Sequence, residues 1–395
     1  MRREQAILPK MCWHWSYLRR LRVCLQNFHL STNDNAYASG IQSGAGSQPI
    51  RPILTEIDPR DIALLNRYFS TKTIFDVELG CKEEAREVLL ASLVNPPIRH
   101  AVSSLKALRE HMEMSGGVPA FVTQHHPSDY GLQQYCMALR GLASNLSSPG
   151  LNGVKSALLC CQIFISIEQV RENYAAMAQH IIQGLRIMHQ YRARPTFLEG
   201  NVLVPAHHEH LPLLDVFVIK LFAAPCKFAE PLATADRSGT TVSVCLNSPV
   251  QRPVESRHLR TIAPDIRKEL VRIATSTLVF LDKVSRVKLA EDALQMLSEK
   301  ESLLDSLEAW LIDLELVNRN IRLPGSEPIS VSFMRLFQRI LNIILLGTLD
   351  CSSDLEARLR TEKNILRDLA SYVGERVKTY RTSIRAGNGR GEEYR

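Results

Sequence analysis

The chain has 395 residues, 45% of them hydrophobic and 23% charged, with a formal net charge of +7. That length and composition admit one large or two moderate globular domains with a substantial core. The surplus charge sits at the ends: residues 1–50 carry six basic and two acidic side chains, residues 376–395 again six and two, and the body between them is close to neutral. Nine cysteines, none in a C-x-x-C pair, leave zinc-finger, zinc-ribbon and dithiol redox chemistry without a ligand set. No run of 18 consecutive apolar residues marks a membrane span. The odd cysteine count and the lack of a secretory signal point to a reducing compartment.

Met1–Ser31 holds Arg2, Arg3, Lys10, Arg19, Arg20 and Arg22 against Glu4, with Trp13, Trp15, Leu18 and Leu21 interleaved. This reads as a basic, partly helical leader, and it overlaps in composition with a mitochondrial presequence. Ser31–Pro52, rich in Ser, Gly, Asn and Gln, reads as a disordered linker. Residues 1–56 therefore form a leader and linker ahead of the folded body.

From Asp58 the pattern is helix after helix, with no convincing alternating strand. Asp58-Pro59 is a start signal, the aspartate capping and the proline at the first helical position. Ile62, Leu65 and Phe69 follow as an apolar stripe. Glu83–Leu93 predicts a second helix, stopped by Pro96-Pro97. Ile98–Met114 predicts a third, with Ile98, Val102, Leu105 and Leu108 inward and Gly116-Gly117 as its end. Tyr130–Leu146 predicts a fourth, with Leu132, Tyr135, Leu139 and Leu142 on one side.

The next two helices differ in character. Ala157–Ile167 (ALLCCQIFISI) is apolar at nine of eleven positions, which requires a helix buried on every side. Tyr174, Met177, Ile181, Leu185 and Met188 recur at spacings of three and four, so the second helix has one apolar stripe, flanked by Ala178 and Ile182. Its other face carries Gln179, Gln183, Arg186 and His189. A hairpin of this kind needs further helices around it.

Pro195–Pro264 is proline-rich and irregular, with a polar run, Ala235–Ser243, expected to be a mobile surface loop, and one short helix, Leu213–Phe222. Long helices return at Ile266–Val287, Leu289–Asn318, Ser330–Leu349 and Asp354–Tyr380. Residues 381–395 read as a flexible Gly/Arg tail. No period of 33–47 residues suggests a repeat solenoid. The fold class is all-α: one large, irregular multi-helix domain over 57–380, with a disordered N-terminal segment and a short basic C-terminal tail.

Several segments, in order, carry a resemblance. They are Asn66–Thr73 (NRYFSTKT), Ser92–Leu108 (SLVNPPIRHAVSSLKAL), Tyr135–Leu142 (YCMALRGL), and Ala157–Leu185 with Glu168, Asn173-Tyr174, His180 and Gly184. Leu213–Pro231 and Phe333–Leu349 follow. Together they resemble the fungal-specific transcription factor domain, the helical regulatory region of zinc-cluster (C6) fungal transcription regulators, over about residues 57–380. The family's DNA reader repeats a C-x₂-C-x₆-C arrangement that binds two zinc ions and docks a helix in the major groove. Cys12 and Cys24 are the only cysteines before Cys81, so these residues cannot build that cluster; the alternative is an upstream exon that bears it.

Candidate sites are few. His207-His208-Glu209-His210 lacks the i, i+4 spacing of a helical metal site and lies between Pro205 and Pro212, which favours a solvated loop. Glu168 and His180 flank the hairpin bend and could form an acid/base pair or a polar tie; the resemblance, to a family without catalysis, favours the tie. No G-x-S-x-G, P-loop or G-x-G-x-x-G occurs. Arg376, Lys378, Arg381, Arg385 and Arg390 suit the negative end of a helix dipole and would give at most sequence-blind contact with nucleic acid. The expectation is therefore no enzyme, no cofactor, and no catalytic, cofactor-binding or metal residues, with DNA-binding residues unassigned.

The resemblance implies a transcription regulator controlling a metabolic or secondary-metabolite pathway through contacts with other transcription regulators or co-regulators. It also implies a nuclear location and a small-molecule effector as an optional partner, with no membrane and no sequence-specific DNA binding by this chain alone. A helical scaffold in the cytoplasm or mitochondrion is the alternative.

Overall fold

Asp58 opens the first described helix as its sequence implies: Oδ1 accepts from the Arg60 amide at 2.8 Å, and Pro59 stands at the first helical position. This helix, α1 (Pro59–Phe69), is followed by α2 (Lys82–Val94), α3 (Pro96–Met114), α4 (Pro127–Asn145), α5 (Leu151–Val170) and α6 (Tyr174–Gln190). After a small hairpin of β1 (Thr196–Leu198) and β2 (Val202–Val204) come α7 (Leu214–Ala223), α8 (Pro264–Arg286), α9 (Ala290–Asn320), α10 (Ile329–Leu346) and α11 (Ser353–Gly389). The computed structural model describes residues 57–69, 80–114, 127–145, 150–198, 202–207, 210–223, 264–320, 327–349 and 353–389. The leader and linker, Gly116-Gly117, the Ala235–Ser243 run, His208, Glu209 and residues 390–395 lie outside them.

The fold is all-α, as the periodicities require. Helix boundaries fall within a few residues of expectation, with two differences. Two three-residue strands pair antiparallel, Thr196 opposite Val204 and Leu198 opposite Val202, inside the proline-rich stretch where no strand was expected. Three residues are too few for a period of two to declare itself. The last helix continues to Gly389, past the Tyr380 end expected for it, because Arg381–Ala386 contains neither proline nor glycine to stop it.

Two helices anchor the core. In α5, every residue from Ser156 to Gln169 is buried. It packs against α3, α4, α6 and α7. In α10, buried positions occur on nearly all sides, and α8, α9 and α11 surround it. Both are long and apolar enough to cross a membrane by length and composition, but both are mostly buried by their neighbours. Each fully buried Leu, Ile or Phe among them contributes about 1.5–3 kcal/mol of transfer free energy. The described buried residues join in one hydrophobic cluster.

The short helix α7 links the two halves. Its Phe217 meets Phe69 of α1 edge-on at 5.2 Å, and its Phe222 stacks on Phe337 of α10 at 5.7 Å. At its start Asp215 takes a bidentate contact from Arg194, 2.6 Å to Oδ2 and 3.1 Å to Oδ1, with both side chains almost wholly buried. Arg194 Nη1 also donates to the Leu281 carbonyl of α8 at 2.8 Å, so one guanidinium ties the segment leading into β1 to two helices.

Close backbone approach explains two glycines. A Cβ at Gly184 of α6 would run into Leu214 Cδ2 of α7, and one at Gly131 of α4 would lie 2.8 Å from Leu108 Cγ of α3. The Gly131 carbonyl accepts from buried Ser104 Oγ at 2.7 Å, which fixes the α3–α4 contact further.

Candidate functional site

The turn between α5 and α6 places the polar residues expected at that bend. Helix α5 ends with Glu172 in the left-handed region (φ 57°), and the Asn173 amide donates back to the Glu168 carbonyl at 2.9 Å. Asn173 Oδ1 then caps α6 by accepting from the Ala176 amide at 3.3 Å. The bend therefore aims Glu168 and His180 into the same space.

They meet through a third residue. Tyr135 of α4 donates its hydroxyl to Glu168 Oε1 at 2.7 Å and lies 3.1 Å from His180 Nε2. Because that hydroxyl proton is engaged by the carboxylate, Nε2 serves as the donor to the Tyr135 oxygen, which sets the neutral tautomer. Arg171 Nη1 donates to Glu168 Oε1 and Oε2 at 2.8 and 3.1 Å, and its guanidinium lies 5.6 Å from the centre of the Tyr135 ring. Phe164 closes the other side, with ring centres 5.2 Å from both Tyr135 and His180.

Burial controls the charges. Glu168 is 1% exposed and His180 3% exposed. Burial pushes the Glu168 carboxyl above its ordinary value, opposed by Arg171 and by hydrogen bonds from Tyr135, Arg171 and Asn173. Burial also holds the His180 imidazole down at about 3, with the Arg171 charge acting in the same direction. The result is a neutral histidine, an arginine-paired carboxylate and a phenol between them. General acid/base work needs a path for substrate to the carboxylate or imidazole. Phe164, Arg171 and the helices cover that path, so the arrangement ties α4 to the α5–α6 hairpin.

The other expected positions are simpler. The His207 amide donates to the Arg192 carbonyl at 2.9 Å, and the described part of the His-rich stretch shows no metal geometry. Among the described residues, no three His, Cys, Asp or Glu side chains converge as metal ligands. Cys160 and Cys161 are buried on α5, and burial raises both thiols, Cys161 to about 12. They pack as small hydrophobes. Sequence reasoning placed Tyr135 on an apolar row and missed its hydroxyl; the available signal was that a buried tyrosine needs a hydrogen-bond partner.

A different kind of surface lies at the C-terminal end. Helices α9 and α11 each pack against α10 and leave a surface groove of about 490 Å³. Leu311 and Glu315 of α9 face Leu369 and Tyr372 of α11 across Arg335 and Arg339 of α10. Arg335 pairs with Glu315 at 2.7 Å and Glu327 at 2.6 Å, and Arg339 pairs with Glu362 at 3.0 Å. The bases of the groove are thus neutralised from within.

No family model matches the chain. No solved structure matches it. Among curated proteins it is 65% identical over 357 residues to "Transcription regulator lscL" of Purpureocillium lilacinum, across 89% of this chain and 85% of that protein. At that identity and coverage, the chain belongs to the same family as this transcription regulator.

Proposed function

We propose that the chain is a transcription regulator of the fungal C6 type that acts through its helical regulatory domain, with no zinc-cluster DNA reader within these 395 residues. The observation that carries this reading is the 65% identity to a transcription regulator over nearly the whole chain. Three features support the finer part. The segments that resemble the fungal regulatory domain occur in order along the chain, and their described residues fall largely on α1 to α7 and α10. Cys12 and Cys24 cannot supply a six-cysteine cluster. Among the described residues, the Glu168–Tyr135–His180 arrangement is sealed within the bundle.

Regulation then runs through contacts with other transcription regulators or co-regulators in the nucleus, with a small-molecule effector as an optional input. The controlled genes belong to a metabolic or secondary-metabolite pathway. The alternative is a helical scaffold or interaction protein in the mitochondrion or cytosol, the mitochondrial location favoured by the arginine-rich N-terminal segment.

Deleting the gene and measuring transcripts, alongside a C-terminal fluorescent tag on the full chain, tests the proposal. The expected result is a nuclear signal and loss or gain of expression in a confined set of genes. Mitochondrial signal with unchanged transcripts would overturn it.

A further inference from the structure

The groove between α9 and α11 is bordered by three large side chains that stay about half-exposed. Ile312, Leu316 and Tyr372 are 56%, 50% and 47% exposed, although each is large and apolar or aromatic. Tyr372 lines the groove with Arg335, Leu311 and Leu369, and Ile312 and Leu316 each follow a groove-lining residue of α9 by one position. Arg376 lies 5.7 Å from the centre of the Tyr372 ring, whereas the exposed charge along α9 beside Ile312 and Leu316 is mostly acidic. Glu301, Asp305, Glu308 and Asp313 lie on the exposed side of α9, and Asp368 lies on α11; all five are exposed and have no basic partner among the described residues. Glu301 to Asp313 spans about 18 Å of helix. An open, apolar groove with an acidic border suits the ridge of a cationic amphipathic helix.

The chain carries such a segment. Met1–Ser31 has six basic residues against Glu4, and Trp15, Leu18, Leu21, Leu25 and Phe28 recur at spacings of three and four, the pattern of one helical stripe. Arg19, Arg20 and Arg22 fall between these apolar positions. From Ser31 to Ile57 the chain can span up to about 90 Å, against a radius of gyration of about 20 Å for a domain of this size. Reach therefore places no restriction on contact with any face of the bundle.

We infer that the basic segment of residues 1–31 docks in cis on the α9–α11 groove, its aromatic and aliphatic stripe against Ile312, Leu316 and Tyr372 and its arginines against the α9 acids. Docking covers the groove from within the same molecule, and a competing cationic helix on another regulator would have to displace it. This inference does not depend on which genes are controlled or on the missing zinc cluster.

The test is photo-crosslinking of the purified full chain carrying p-benzoylphenylalanine in place of Tyr372, with peptides mapped by mass spectrometry. A second probe at Leu316 and a thermal melt of each variant guard against misfolding. The expected result is cross-links to residues 1–31 of the same molecule, independent of protein concentration. Yield should fall about fivefold in the double variant Glu308→Lys/Asp313→Lys, as loss of a modest steering interaction implies. It should recover when Arg19→Glu and Arg20→Glu are added. Cross-links between copies that rise with concentration, or none to residues 1–31 at either probe position, would overturn the inference.

Discussion

The α4–α5–α6 junction and the α9–α11 groove both combine charged and apolar side chains, but they differ in who satisfies the charges. At the junction Tyr135, Arg171 and Asn173 surround Glu168 within the fold. At the groove the arginines are paired internally, Arg335 with Glu315 of α9 among them, while Glu301, Asp305, Glu308 and Asp313 of α9 face solvent. A buried, closed network holds helices in one arrangement, because leaving any member alone in a low-dielectric interior is costly. An exposed and unbalanced face adds little to stability and is available to a partner. The contrast separates what keeps this molecule folded from what it offers to others.

The comparison can be broken by substitution. The largest effect is expected from Asp215→Ala, which strands Arg194 beneath α7 and α8: about 3–5 kcal/mol of stability lost in urea denaturation. A loss under 1 kcal/mol would show that the buried pair does not join the halves. Gly184→Ala forces a methyl against Leu214 and should cost about 1–3 kcal/mol, read as an earlier thermal midpoint. Tyr135→Phe leaves Glu168 and His180 without their shared hydroxyl and should cost a similar 1–3 kcal/mol.

Acid sharpens the contrast. The unfolded His180 takes a proton below about 6.5 and the folded one only near 3, so its contribution to stability is lost as pH falls through that window. Glu168, whose carboxyl is raised by burial, works in the opposite sense, since the folded state binds its proton first. The stability advantage of the native protein over His180→Gln should therefore shrink by about 2 kcal/mol between pH 6.5 and 5. An unchanged difference would mean that the imidazole is reached by solvent. The smallest effect belongs to the groove: Glu308→Lys should leave stability within about 0.5 kcal/mol.

Much of this was legible before any coordinates. The run Ala157–Ile167 has apolar residues on every side, so a fully enclosed α5 followed directly, and the stripe from Tyr174 to Met188 placed α6 against it. The apolar stripe understated the covered face of α6: His180, Gly184 and Ile187 are also buried, because α5, α7 and α11 all pack on it. The Tyr135 bridge was not readable. Periodicity assigns a residue to a face but does not say which residue 33 or 45 positions away its polar end will meet. The β1–β2 hairpin escaped for want of length, and the groove arises from how α9 and α11 settle on α10, a tertiary property with no local signature.

A gel-shift titration of the purified full chain tests most directly our proposal that this helical bundle regulates through macromolecular contacts and does not itself read DNA sequence. It should use promoter fragments of the genes whose transcripts respond to its deletion, against scrambled DNA, with and without zinc. The expected binding is weak, equal for both DNAs, indifferent to zinc and lost as salt rises. Tight, zinc-dependent binding confined to the promoter fragments would contradict it.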